Sequence, residues 1–158
     1  MALSVGDQAP DFTLKHKGDE LGDVSLADYK GKKNVVLLFV PFAFTGVCTD
    51  ELCSVSGGLS DYEGLDAEVL GISVDNPFAQ EAWAKANDIN IKLLSDFNKA
   101  ASKAYGCLYE DFIGFAGVAK RSAFVIDKDG VVKYASISDD AGVVPDFDAI
   151  KSCLSGLN

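Results

Sequence analysis

The chain has 158 residues, 48% of them apolar, and carries 24 acidic against 14 basic side chains for a net charge of −10. That is enough chain to bury one full core without disulfide or metal staples, so a single domain over residues 1–158 is expected. The negative excess disfavours nucleic acid and anionic membrane surfaces as partners, whereas a small neutral substrate meets no such repulsion.

Met1 to Asp7 lacks a basic segment followed by an apolar one, and no stretch approaches the length of a membrane-crossing helix, so a cytoplasmic location is expected. Ala9 to Leu14 reads as a short extended piece. Lys15 to Asp23 is polar and turn-rich and holds the sole histidine, His16, expected to be exposed and without a functional part. Val24 to Leu26 is a short strand, and Leu26 to Tyr29 a helical turn before the basic turn Lys30 to Lys33. Val35 to Val40 is an unbroken run of β-branched, leucine and aromatic residues, which predicts a central strand buried on both faces. Pro41 ends it. After the loop Phe42 to Gly46, the cap and acidic residues Thr45, Thr49, Asp50 and Glu51 predict a helix start close to Cys48. That helix runs to about Tyr62, with Leu52, Val55 and Leu59 on one face and Gly57-Gly58 interrupting it.

Glu68 to Val74 is the second clear strand, and Asp75-Asn76-Pro77 is a turn that opens a helix from about Phe78 to Asn87. Ile89 to Leu94 leads to Ser95-Asp96, a cap signal for a short helix around Ala100 to Tyr105 that Gly106 closes. Cys107 to Ala119 has two glycines and no clean period and reads as loop. Ser122 to Ile126 is a third buried strand, joined through the turn Lys128-Asp129-Gly130 to a partner at Val131 to Ile137. Asp146 to Leu154 makes a last amphipathic helix. This order predicts an α/β chain with a thioredoxin-like fold, a central mixed β-sheet flanked by helices, in which a reactive sulfur sits where a strand hands over to a helix.

Cys48 stands at that handover. Unpaired amides and the positive end of the helix dipole favour an anion there, and the thiolate is the nucleophilic form of cysteine; the ordinary alternative is a small buried hydrophobe. The four cysteines, at 48, 53, 107 and 153, fit no zinc spacing, and neither a metal nor a cofactor is expected.

The run Pro41-Phe42-Ala43-Phe44-Thr45-Gly46-Val47-Cys48 resembles the peroxiredoxin signature of a proline, three residues, a threonine or serine, two residues and a cysteine. Glu51 and Arg121 match a glutamate and an arginine of that family, and Leu94-Ser95-Asp96, Ala104-Tyr105-Gly106 and Asp129-Gly130 are similar to further family segments. Within it, the run around Cys48 looks most like the AhpE type, with the bacterioferritin-comigratory (PrxQ) type as near neighbour; Val40 departs from the aromatic or histidine common at its position. The resemblance implies a thiol-dependent peroxidase acting on hydrogen peroxide and organic hydroperoxides, with Cys48, Thr45, Arg121 and Pro41 catalytic and Glu51 supporting. That reaction requires a thiolate, donors holding both oxygens, and little water. Cys48 supplies the sulfur, Thr45 one turn ahead can donate and accept, Arg121 can stabilise developing negative charge, and Pro41 can shield the sulfur. Thr45, Arg121 and Pro41 each also have a plain structural reading, as helix cap, surface ion pair and strand terminator respectively. It also implies a thioredoxin-like or low-molecular-weight thiol as reductant, and a homodimer to which exposed Phe42, Phe44, Phe78 and Phe97 are suited. Cys53 matches the resolving cysteine of some comigratory-type members, so a two-cysteine and a one-cysteine cycle both stay open. Five residues of helix separate the two Cα atoms by about 7.5 Å along the axis and about 140° around it, so a disulfide between them requires the first turns to unwind. A thiol-disulfide exchange protein and a non-catalytic redox sensor are the rival functions on the same fold.

Overall fold

The computed structural model describes residues 3–157. In chain order its strands are β1 (Thr13–Lys17), β2 (Leu21–Ser25), β3 (Asn34–Phe39), β4 (Ala67–Ser73), β5 (Lys92–Ser95), β6 (Leu108–Tyr109), β7 (Val118–Ala119), β8 (Ser122–Ile126) and β9 (Val132–Ile137). The α-helices are α1 (Gly46–Gly57), α2 (Leu59–Glu63), α3 (Pro77–Asn87), α4 (Ala100–Ala104) and α5 (Phe147–Ser155). Seven strands form one sheet in the order β2-β1-β5-β4-β3-β8-β9, with β3 parallel to β4 and antiparallel to β8.

Every residue of β3 is buried, because alternate side chains feed two different cores. Val35, Leu37 and Phe39 point to the face covered by Leu26, Ala101 of α4 and Tyr105. Val36, Leu38 and Val40 point to the face covered by Leu52 of α1, Tyr62 of α2, Trp83 of α3 and Leu154 of α5. This mixed sheet with helices on both faces is the expected thioredoxin-like α/β arrangement. The antiparallel pairing of β3 with β8 sets Phe39 opposite Ser122, so the end of one strand and the start of the other lie at the same edge of the sheet.

Local chemistry explains most boundaries. Asn76 caps α3 by accepting from the Ala79 amide at 2.8 Å, with Pro77 in the first turn. Asp146 caps α5 in the same way through the Ala149 amide at 3.0 Å. The helix expected from Cys48 to Tyr62 is broken at Gly58 into α1 and α2.

Three expectations need correction. The turn-rich segment Lys15 to Asp23 contains most of an antiparallel hairpin, β1 with β2, in which Leu14 pairs with Val24 and Lys15 with Asp23. At this end of the sheet only one face meets the core, and the charged residues on the other, such as the Lys15–Asp23 ion pair at 2.7 Å, hide the alternation. His16 is half-buried rather than exposed, with Nδ1 bonded to the Leu93 carbonyl at 2.8 Å. The loop Cys107 to Ala119 likewise contains a small antiparallel ribbon, β6 with β7.

Tyr105 ties the N-terminal segment to this frame: its hydroxyl donates to the Pro10 carbonyl at 2.7 Å while its ring packs edge-on against Phe124. Tyr105→Phe removes the donor and strands the carbonyl, so a loss of about 1–2 kcal/mol in unfolding free energy is expected by urea titration; an unchanged value would show that the carbonyl finds another partner.

Candidate active site

Beyond β3 the chain turns at buried Pro41 and passes through Phe44 in the left-handed region, φ +64°, before Thr45 opens α1. The Thr45 side chain does not cap the helix as expected; its hydroxyl donates to the Phe42 carbonyl at 2.8 Å and so braces the loop. Because α1 begins at Gly46, Asp50 and Glu51 lie beyond its first turn, and Cys48 is the third helical residue, among the amides that have no partner within the helix. Its side chain is turned inward, with Cys48 only 1% exposed.

Arg121 precedes β8 at the sheet edge where β3 ends, which is why it meets Cys48. One terminal guanidinium nitrogen lies 3.2 Å from the Cys48 sulfur, the other donates to Glu51 Oε1 at 2.9 Å, and Nε donates to the Ala141 carbonyl at 2.8 Å. Glu51 stands one helical turn after Cys48, on the same face, so the two share the guanidinium. Burial disfavours the charge on Arg121, but the contacts with Cys48 and Glu51 outweigh it and hold the guanidinium protonated. Burial also pushes the Glu51 carboxyl up to about 7, against the pull of Arg121, and Oε2 has no hydrogen-bond partner. The sulfur opens to a cleft of about 300 Å³ whose walls include Pro41, Phe42, Thr45, Val47, Phe112 and Ile113. The structure therefore gathers Cys48, Arg121, Glu51, Pro41 and Thr45 at one place. Such an arrangement can hold an anionic sulfur beside a fixed cation in a mainly apolar recess.

The model of the AhpC/TSA family matches residues 5–135, most of the chain, including the loop, the cysteine and the arginine. The chain is a peroxiredoxin of the AhpC/TSA family. It is 41% identical over 143 residues to alkyl hydroperoxide reductase E of Mycobacterium tuberculosis, covering 89% of this chain and 90% of the relative. It is also 41% identical over 143 residues to a chloroplastic 2-Cys peroxiredoxin of Spinacia oleracea, covering 85% of this chain and 52% of the relative. Among solved structures, the reduced 2-Cys peroxiredoxin of Plasmodium vivax superposes with a TM-score of 0.85 at 33% identity, over 95% of this chain and 79% of the other. Mycobacterium tuberculosis AhpC superposes with 0.85 at 28% identity, over 99% and 93%. The activity that goes with this membership is thiol-dependent reduction of peroxides, in a family that works with thiol reductants and commonly assembles into oligomers.

The other thiols of this peroxiredoxin lie elsewhere. Cys53 is half-buried on α1, its sulfur 3.4 Å from the Asn87 carbonyl at the end of α3, and it does not reach the cleft. Cys107 is fully buried, and burial pushes its thiol up to about 12. Cys153, on α5, is raised by burial as well, with its sulfur 3.6 Å from the Lys133 carbonyl. Among the described residues no group of three or more histidines, cysteines or carboxylates is placed to hold a metal ion, and no helix is long and apolar enough to cross a membrane.

Sequence reasoning missed several residues that shape the site. Asp75, read as a turn residue, accepts from the Ala43 amide at 2.7 Å and from the Ser73 hydroxyl at 2.8 Å, and so anchors the loop before Cys48 to the end of β4. Trp83, fully buried, donates from its indole nitrogen to Thr49 at 2.9 Å and fixes the first turns of α1 against α3. Phe112 and Ile113 come from the segment read as plain loop; their apolarity amid Glu110 and Asp111 was the available signal.

The folded value of Glu51, about 7, lies above the ordinary 4.5, so the folded chain keeps a proton that the unfolded chain releases. The stability linked to that proton is fully present below about 4.5 and is lost as pH rises through about 7. Glu51→Gln removes the titration. Its unfolding free energy relative to the parent chain is therefore expected to rise between pH 5 and pH 8 in urea titrations, and a difference constant across that range would contradict the assignment.

Proposed function

We propose that Cys48 is the peroxide-reducing sulfur of a single-domain enzyme, and that Arg121, Thr45 and Pro41 are its catalytic partners with Glu51 supporting Arg121. The observation that carries this reading is the 3.2 Å contact between the Arg121 guanidinium and the Cys48 sulfur at the start of α1. A thiolate held there attacks the terminal oxygen of hydrogen peroxide or an organic hydroperoxide; the sulfur–oxygen bond forms as the oxygen–oxygen bond breaks. The electron pair leaves on the other oxygen, which takes up a proton to become water or an alcohol. Arg121 and the free amides at the helix start stabilise the charge as it moves, Thr45 holds the oxygens, and Pro41 keeps water from the sulfur.

Cys48 is left as a sulfenic acid. Condensation with the Cys53 thiol forms a disulfide and releases water, and a thioredoxin-like or low-molecular-weight thiol then reduces that disulfide. Because Cys53 is engaged with Asn87 rather than facing the cleft, this step requires α1 to open. Gly57, the last residue of α1, and Gly58, at the break before α2, assist, because glycine holds a helical conformation less firmly than other residues. The placement of Cys53 equally suits a one-cysteine cycle, in which an external thiol resolves the sulfenic acid directly. Exposed Phe44, Phe78, Phe97 and Phe115 favour a homodimer, and the cytoplasm is the location that suits a cycle dependent on free thiols.

Cys48→Ser is expected to abolish peroxide consumption with the far-ultraviolet dichroism unchanged; retained turnover would remove Cys48 from the mechanism. With one equivalent of peroxide, peptide mapping is expected to find a Cys48–Cys53 disulfide, with residues 46–58 losing amide protection in hydrogen exchange. A lone sulfenic acid with α1 still protected would select the one-cysteine cycle.

A further inference from the structure

Phe112 and Phe115 exchange two backbone hydrogen bonds, of 2.8 and 2.9 Å, around a two-residue turn formed by Ile113 and Gly114. Both turn residues have positive φ, +48° and +91°. That pairing defines a type I′ hairpin turn, whose first position favours asparagine, aspartate or glycine. A β-branched side chain with φ in this range is a steric outlier. The position is unfavourable for Ile113 on a second count, since the residue is 74% exposed. Neither local backbone preference nor burial accounts for isoleucine here.

The hairpin beneath it is firmly held. Phe112 stacks on Tyr109 with ring centres 4.8 Å apart and planes inclined by 17°, and Phe42, from the loop before Cys48, contacts both Phe112 and Phe115. Ile113 is thus carried on a rigid support, and it lines the same cleft as Cys48. The wall it joins, with Pro41, Phe42, Val47 and Phe112, is apolar, while the polar side chains of the cleft are Thr45 and Arg121. Glu110 and Asp111, both exposed, precede the hairpin and oppose a substrate that carries its own negative charge.

We infer that Ile113 is a specificity-determining residue that packs against the hydrocarbon part of a neutral, bulky organic hydroperoxide while the terminal oxygen of that substrate reaches the sulfur. The strained turn is retained because it projects an apolar surface into the cleft mouth, as strained backbone elsewhere is retained at functional sites. The inference rests on Cys48 being the reacting sulfur. Hydrogen peroxide, with no hydrocarbon part, gains nothing from the contact, so the effect is read as a ratio of two substrates.

Ile113→Asn places a residue suited to the turn and removes the apolar surface. By stopped-flow oxidation of the reduced enzyme, the ratio of second-order rate constants for cumene hydroperoxide over hydrogen peroxide is expected to fall on the order of tenfold. The thermal midpoint is expected to rise or hold, since the strain is relieved. A ratio within twofold of the parent would overturn the inference. A changed sedimentation coefficient with an unchanged ratio would overturn it as well, and would assign Ile113 to contact between copies of the chain. If Cys48→Ser still consumes both peroxides, the reading of the sulfur has failed instead, a separate result.

Discussion

Everything at the site hangs on one buried cation. The Arg121 side chain is 2% exposed, and its guanidinium is met by the Cys48 sulfur, by Glu51 and by the Ala141 carbonyl, contacts supplied by α1 and by the loop after β9. A cation so far from water is tolerable only when its donors are satisfied and its charge is opposed; removing one partner of such a pair costs about 3–5 kcal/mol. The Cys48 sulfur and the Glu51 carboxyl share that single cation. Burial raises Glu51 to about 7 against the pull of Arg121, so this carboxyl is easier to neutralise than an exposed one. The topology makes the meeting possible, because antiparallel β3 and β8 bring the start of α1 and Arg121 to the same sheet edge.

The three remaining thiols show how burial and position decide what one side chain can do. Cys107 is sealed in the core beside the sheet, where burial holds its thiol well above the ordinary range. Cys153 is also raised by burial. Cys53 shares a helix with Cys48 but faces α3, so its part in a redox cycle depends on how readily α1 unwinds rather than on resting geometry. Against opening stand the Trp83–Thr49 hydrogen bond and the packing of Leu52 and Val55; in favour stand the glycines at the break between α1 and α2.

Much of this was readable from the residues. The apolar run of β3, proline at its end, the Asp75-Asn76-Pro77 turn that opens α3 and the Asp129-Gly130 turn each depend on local chemistry that a sequence displays, and the handover from β3 to α1 marked Cys48. The antiparallel hairpin of β1 and β2 escaped because only Leu14 and Val24 alternate into the core there, among lysines and aspartates. The bracing of the site escaped for another reason: Ala43 is held through its amide and Arg121 through the Ala141 carbonyl, and main-chain partners leave no mark on residue type. Ile113 was hidden because the turn it occupies favours other residues.

The central claim is that the charge of Arg121 speeds the attack of Cys48 on peroxide. The direct measurement is the second-order rate constant for oxidation by hydrogen peroxide, followed by stopped-flow fluorescence of Trp83, in Arg121→Met combined with Glu51→Gln so that no buried carboxylate is left without its cation. Glu51→Gln alone serves as the reference. A fall of about 100-fold or more relative to that reference, with native dichroism, is the result expected for loss of a preorganised electrostatic partner. A rate constant within about threefold of the reference would mean that the guanidinium is structural and that the sulfur reacts without it.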